Sequence, residues 1–151
     1  MKLALPDIKT ILKNHKFLLA AILVVILLRI PSLFEPYWYG DEGVYLTLGE
    51  GIRRGLLLYR DIYDNKPPLL YILAAVSGSL FWFRFLLLIT NLATIYLFAL
   101  LAKTLFPAKV KAQKIALVIF AFLSTLPLIE GNIANAEIFM ILPIIGAVFL
   151  F

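Results

Sequence analysis

The sequence predicts an all-α polytopic membrane protein, with transmembrane helices and an outer-face loop that carries short membrane-lying helices. Three observations carry that reading. The 151-residue chain is 63% hydrophobic with a mean hydropathy of +0.99, far outside the soluble globular range. Apolar runs of about 18 residues or slightly fewer recur, close to the length of helix that crosses a hydrocarbon core. The charges are also unevenly placed along the chain, with lysine-rich segments at 1–16 and 103–114 and eight of the nine acids in 35–64 and at 130 and 137.

The first span is expected at 16–34, after a tail at 1–15. The basic flank and apolar core of "KNHKFLLAAILVVILLRIPSLF" would fit a secretory signal, but no small-x-small cleavage site follows. Arg29, Pro31, Phe34 and Glu35 stand there instead, so the span reads as uncleaved. A second apolar stretch, Leu69–Phe83, is broken by Ser77-Gly78-Ser79. Its 15 residues reach only about 22 Å as a helix, short of a core of about 30 Å. A juxtamembrane position within an outer loop at 35–83 is therefore expected. Phe85–Ala102 gives the next span (84–102, with Arg84 opening it), and 115–129 and 138–151 give two more, separated by a short outer loop at 130–137. The chain stops inside an apolar run, "GAVFLF", which suggests an N-terminal piece of a longer protein.

Charge sets the orientation. Lys2, Lys9, Lys13 and Lys16 crowd the tail, and Lys103, Lys109, Lys111 and Lys114 fill 103–114 without an acid. The positive-inside rule places both in the cytoplasm. Eight of the nine acids lie in 35–64 and at 130 and 137, which this topology brings to one outer face. A net charge of +5 distributed in this way reports membrane orientation and does not indicate nucleic acid. With no Cys and His15 the one histidine, carboxylates and carbonyls are the available metal ligands.

"YWYGDEGVY" (37–45) places Asp41 and Glu42 among Tyr37, Trp38, Tyr39 and Tyr45 where the chain leaves the first span. A short helix is expected from Asp41, with Val44, Tyr45, Leu48 and Ile52 on one face and Gly55 at C′. Asp41 fits two roles: an N-cap that complements the helix dipole, or a general base at the membrane edge. The aromatics suit an interfacial belt or a sugar-stacking platform. In "YRDIYDNKPPLLY" (59–71), Pro67 and Pro68 mark a helix start, and Lys66 can snorkel or hold a phosphate at headgroup depth. Arg84 is either an anchor or a bidentate phosphate ligand. Arg29, nearer the interior of its span, suits snorkelling or packing. In "IEGNIANAEIFM" (129–140), Glu130 and Glu137 are outer acids, and Asn132 and Asn135 are candidate caps.

Taken in order, Asp41-Glu42 after the first span, Lys66-Pro67-Pro68-Leu69 with Tyr71, Arg84, and Glu137 resemble the multi-spanning glycosyltransferases that use polyprenyl-phosphate sugars. That superfamily includes protein O-mannosyltransferases and lipid A aminoarabinose transferases. The resemblance covers 41–137 and implies an incomplete GT-C-type fold and an inverting transfer on the outer face of a plasma or inner membrane. The implied donor is a sugar on an isoprenoid phosphate, and the acceptor is a protein, lipid or glycan left open. It implies Asp41 as the base, with Glu42 supporting it or lining the site. Lys66 and Arg84 would hold the lipid phosphate, Glu137 would orient substrate, and Tyr45 and Tyr71 would line the site. No cofactor is required, although carboxylates could hold a divalent ion. Family members have about a dozen spans, so this chain matches roughly their first third and could be inactive alone. Two other readings stay open: a non-catalytic lipid-phosphate-binding or assembly subunit, and a transporter fragment, which would place its ionisable groups near the midplane and repeat its halves.

Overall fold

The computed structural model describes residues 8–37 and 39–150, with side chains from Lys16 onward. The tail at 1–7, Trp38, Phe151 and the side chains of Lys9, Lys13 and His15 lie outside the described residues. The described chain is helical: α1 (Ile8–Phe34), α2 (Gly40–Arg53), α3 (Pro68–Ser77), α4 (Leu80–Leu105), α5 (Val110–Leu123) and α6 (Ala136–Leu150), with a 3₁₀ turn at Pro127–Ile129. Two stretches, Lys16–Phe34 and Leu80–Leu105, are long and apolar enough to cross a membrane.

Several boundaries differ from the sequence reading, each for a local reason. The interruption at 77–79 ends one helix and starts the next. Gly78 takes the left-handed conformation (φ 69°) as the C-cap of α3, and the Ser79 hydroxyl accepts from Trp82 N–H at 3.5 Å as the N-cap of α4. Residues 80–83 therefore belong to α4, and Arg84 sits in its second turn instead of opening it. The first helix reaches back to Ile8, into the segment expected as a tail. Helix α5 begins at Val110, five residues before the expected span, and stops at Leu123 ahead of Pro127. The 14 residues of α5 and 15 of α6 are shorter than the two long helices. Helix α2 matches its expected extent, and Gly55 stands at C′ with φ 88°. Its N-cap, however, is Tyr39; Asp41 lies inside the first turn and caps nothing.

Helices α1 and α5 run in one direction and α4 runs against them. Lys114 lies over Phe17, and Ser124 carbonyl meets Arg29 near the other end of the same two helices. Arg84 at the start of α4 bonds to Ser32 and Glu35 at the end of α1. Helix α6 accompanies α4, with Phe139 stacked on Phe83 at 5.5 Å and Leu97 against Gly146. One bundle end thus carries α2, α3 and residues 124–137, and the opposite end carries Lys103–Lys114.

Two apolar cores hold this arrangement. Val25, Ile95, Ala99, Leu117 and Ala121 join α1, α4 and α5. Tyr45, Leu48, Leu70, Tyr71, Ala74, Phe83 and Leu87 join α2 and α3 to the start of α4. The second core depends on close backbone approach. A Cβ on Gly49 would stand 2.6 Å from Ala75 N and 2.8 Å from Ala74 C. Gly49→Ala must therefore push α2 off α3 and is expected to cost about 1–3 kcal/mol, as overpacking does. Thermal unfolding in detergent checks this, with Gly43→Ala as the control because its Cβ would meet nothing within 4 Å.

Arg29 settles into packing. It is 1% exposed and its Nη2 donates to the carbonyls of Ser124 (3.0 Å) and Gly131, tying α1 to the turn after α5. Asn135 caps α6, its Oδ1 accepting from Ile138 N–H at 3.0 Å, whereas Asn132 is buried and caps nothing.

Candidate functional site: an acid–lysine–tyrosine cluster at one bundle end

The two adjacent acids of α2 face different ways. Glu42 is fully buried and pairs with Arg84, itself 2% exposed. Arg84 Nε and Nη2 donate to Glu42 Oε1 and Oε2 at 2.9 and 2.5 Å. Its Nη1 donates to the carbonyls of Ser32 (2.7 Å) and Glu35 (2.8 Å), and Glu42 Oε1 also accepts from Ala134 N–H at 3.0 Å. This knot fastens α2, α4, the end of α1 and the segment before α6. Its members are engaged with one another, and neither side chain presents a surface to a ligand.

Asp41, one residue earlier, is half-buried. Tyr45 O–H donates to its Oδ2 at 3.0 Å, from the next turn of the same helix. Burial, with the Asp41 hydrogen bond next, pushes the Tyr45 phenol far above its ordinary value, so it stays a donor. Asp41 Oδ1 has no partner among the described residues.

Lys66 is held from three sides. Tyr71 O accepts from its backbone N–H at 2.9 Å, Tyr59 O–H donates to its carbonyl at 2.6 Å, and its Nζ donates to Glu137 Oε1 at 2.7 Å. Tyr71 is fully buried, lies edge-on to Tyr45 with ring centroids 6.0 Å apart, and is pushed up to about 12 by burial and by Asp64. The charges of Asp41 and Asp64 also act on Lys66, beside its direct contact with Glu137. Beside them Tyr39 O–H donates to Glu130 Oε2 at 3.1 Å, and burial and that contact push its phenol up to about 12.

The contact with Glu137 raises Lys66, and the contact with Lys66 holds Glu137 below the usual carboxylate range. The pair therefore supports the fold across neutral pH. That support is lost as pH falls through the lowered Glu137 value or rises through the raised Lys66 value. The Lys66 side-chain ¹⁵N resonance is expected to titrate above the ordinary lysine value, and Glu137→Gln is expected to bring it back. An unshifted wild-type resonance would show that the contact is not maintained in solution.

An apolar groove of about 490 Å³ begins beside this cluster. Pro67, Leu70 and Leu73 form one wall and Ala136, Phe139 and Met140 the other, with Thr90 of α4 among the lining residues. Lys66 and Glu137, which pair with each other, are the chain neighbours of the lining residues Pro67 and Ala136, so this part of the cluster borders the groove.

Asp41, Lys66, Glu137, Tyr45 and Tyr71 thus come together, whereas Glu42 and Arg84 form a separate buried knot. Sequence reasoning missed Asp64, although it lies two residues before Lys66 in a segment already of interest. It also missed the Tyr39–Glu130 contact, which has no sequence signal because its members are 91 residues apart. Among the described residues no group of three or more His, Cys, Asp or Glu is placed to hold a metal ion. No family model, no curated protein and no solved structure matches this chain.

Proposed function

We propose that this chain is the N-terminal membrane module of an inverting glycosyltransferase with a GT-C-type fold, which takes its sugar from a polyprenyl-phosphate donor. The observation that carries the reading is the half-buried Asp41 near the Lys66–Glu137 pair, which borders the apolar groove. Such a donor has a sugar, a phosphate and a long apolar chain, and the cluster and groove offer matching chemistry in that order.

In the proposed reaction Asp41 takes the proton of an acceptor hydroxyl or amine as that atom attacks the anomeric carbon. The new glycosidic bond forms on the face opposite the departing phosphate. The bond from the anomeric carbon to the phosphate oxygen breaks, and its electron pair leaves with the lipid phosphate. Lys66 exchanges Glu137 for that phosphate and stabilises the charge it gains. Tyr45 holds Asp41 Oδ2, which leaves Oδ1 to take the acceptor proton. Glu42 and Arg84 act as positioning residues that fix α2, in place of the phosphate contact expected of Arg84.

The opposed helix directions support an outer active site with a cytoplasmic N-terminus, in a plasma or inner membrane. Lys103, Lys109, Lys111 and Lys114 stand at one bundle end in a segment without an acid, which the positive-inside rule favours for the cytoplasm, and α2, α3 and residues 124–137 stand at the other. Membranes carrying the chain in its native reading frame should transfer labelled sugar from a polyprenyl-phosphate sugar and not from a nucleotide sugar. Transfer from the nucleotide sugar alone, or from neither, would overturn the proposal.

A further inference from the structure

We propose that the pocket at the lysine-bearing end of the bundle binds an anionic phospholipid, at a site separate from the cluster described above. A cavity of about 170 Å³ opens there between α1, α4 and α5. Phe17 and Val110 lie among its apolar lining, while Tyr96, Lys103, Gln113 and Lys114 bring polar groups to it.

The pocket is a built feature. Gln113 Nε2 donates to the Phe106 carbonyl at 2.8 Å, which fastens the connection between α4 and α5. The Lys114 ammonium lies 5.2 Å from the Phe17 ring centroid, so this side chain is folded back over the pocket. Lys103, in the last turn of α4, is on the same rim. Neither lysine has a carboxylate partner among the described residues, and 103–114 contains no acid. Two ammonium groups without a carboxylate partner among the described residues therefore stand beside an apolar floor at the ends of two membrane-length helices.

Charge and shape together select the occupant. A phosphodiester supplies the missing negative charge, and the acyl chain it carries covers the apolar floor. A zwitterionic lipid brings its own cation to the lysines, and inorganic phosphate leaves the floor wet. Basic pockets between membrane helices take anionic headgroups in this way. The pocket would take such a lipid whichever side of the membrane this end faces, and with or without the transfer reaction.

The test uses the full chain in phosphatidylcholine nanodiscs, titrated with spin-labelled phosphatidylglycerol, and reads the motionally restricted fraction of the label. Restriction of phosphatidylglycerol over phosphatidylcholine is expected. Lys103→Gln with Lys114→Gln should weaken it about 25-fold, from roughly five-fold per lysine near a membrane surface. Lys109→Gln with Lys111→Gln keeps the same net charge loss outside the pocket and should change binding much less. Val110→Trp fills the floor without touching charge and should also weaken it. Equal losses from both lysine pairs would show diffuse attraction and overturn the site. Undiminished binding in Val110→Trp would remove the acyl-chain contact, and full competition by inorganic phosphate would identify a free-anion site; either result overturns the proposal. Far-ultraviolet circular dichroism of each variant confirms that these exposed changes leave the helices intact.

Discussion

Asp41→Asn is expected to lower sugar transfer by about two to four orders of magnitude, the usual worth of a positioned general base. The change is close to isosteric, and the amide oxygen can still accept the Tyr45 hydrogen bond that Asp41 Oδ2 accepts at 3.0 Å. Helix α2 should therefore keep its place. What the amide cannot do is take a proton, so the loss should fall on kcat and leave the KM for the lipid-linked donor nearly unchanged. Transfer rates measured in membranes for both proteins, with thermal unfolding of each, separate chemistry from folding. Equal kcat values would remove Asp41 as the base. A raised donor KM with kcat preserved would make it a binding group instead.

Glu42→Ala should produce the largest loss of stability, about 3–5 kcal/mol, because it leaves a buried guanidinium without its counter-charge. Arg84 would lose the partners of Nε and Nη2 together, at a site where it is 2% exposed. The Ala134 amide would lose its acceptor in the same step. Replacing both members, Glu42→Leu with Arg84→Met, should recover part of this, since a buried ion pair contributes little over an apolar pair of similar volume. Recovery stays incomplete because the Ser32 and Glu35 carbonyls also lose their donors. Arg84→Lys should behave as a disruptive change, because one ammonium group cannot reproduce the planar fork. Thermal unfolding of Glu42→Leu, of Arg84→Met and of the double variant measures the coupling. Unfolding of Glu42→Ala within about 1 kcal/mol of wild type would show that the pair does not hold this end together.

Helix α2 was legible because its apolar residues recur at helical spacing and Gly55 follows at the C′ position. The gathering of Asp41, Lys66 and Glu137 was legible for a different reason, since charge sorting assigns their segments to one end of the bundle. Which of two neighbouring acids points inward was not read, although a signal exists. Glu42 precedes Tyr45 by three residues and Gly49 by seven, so it continues the buried stripe of α2, whereas Asp41 lies beside it. The Arg84 partnership could not be read, because an arginine near a span end has the same local sequence whether it meets a phosphate or a carboxylate 42 residues away. The start of α5 was misplaced because Lys111 and Lys114 looked like loop, while long basic side chains can continue a helix by keeping their charges in water.

The bond from Ala134 N–H to Glu42 joins positions 92 apart, which sets an order of events during synthesis. Ribosomes deliver the N-terminal portion first, so Glu42 can meet Arg84 while residue 134 is still unmade. The amide that completes the arrangement, and Glu137 just beyond it, arrive after the other members. Until then Lys66 lacks its carboxylate partner. Maturation of the cluster therefore follows translation of residue 137, a timing that a ribosome-stalling series ending before and after it would record.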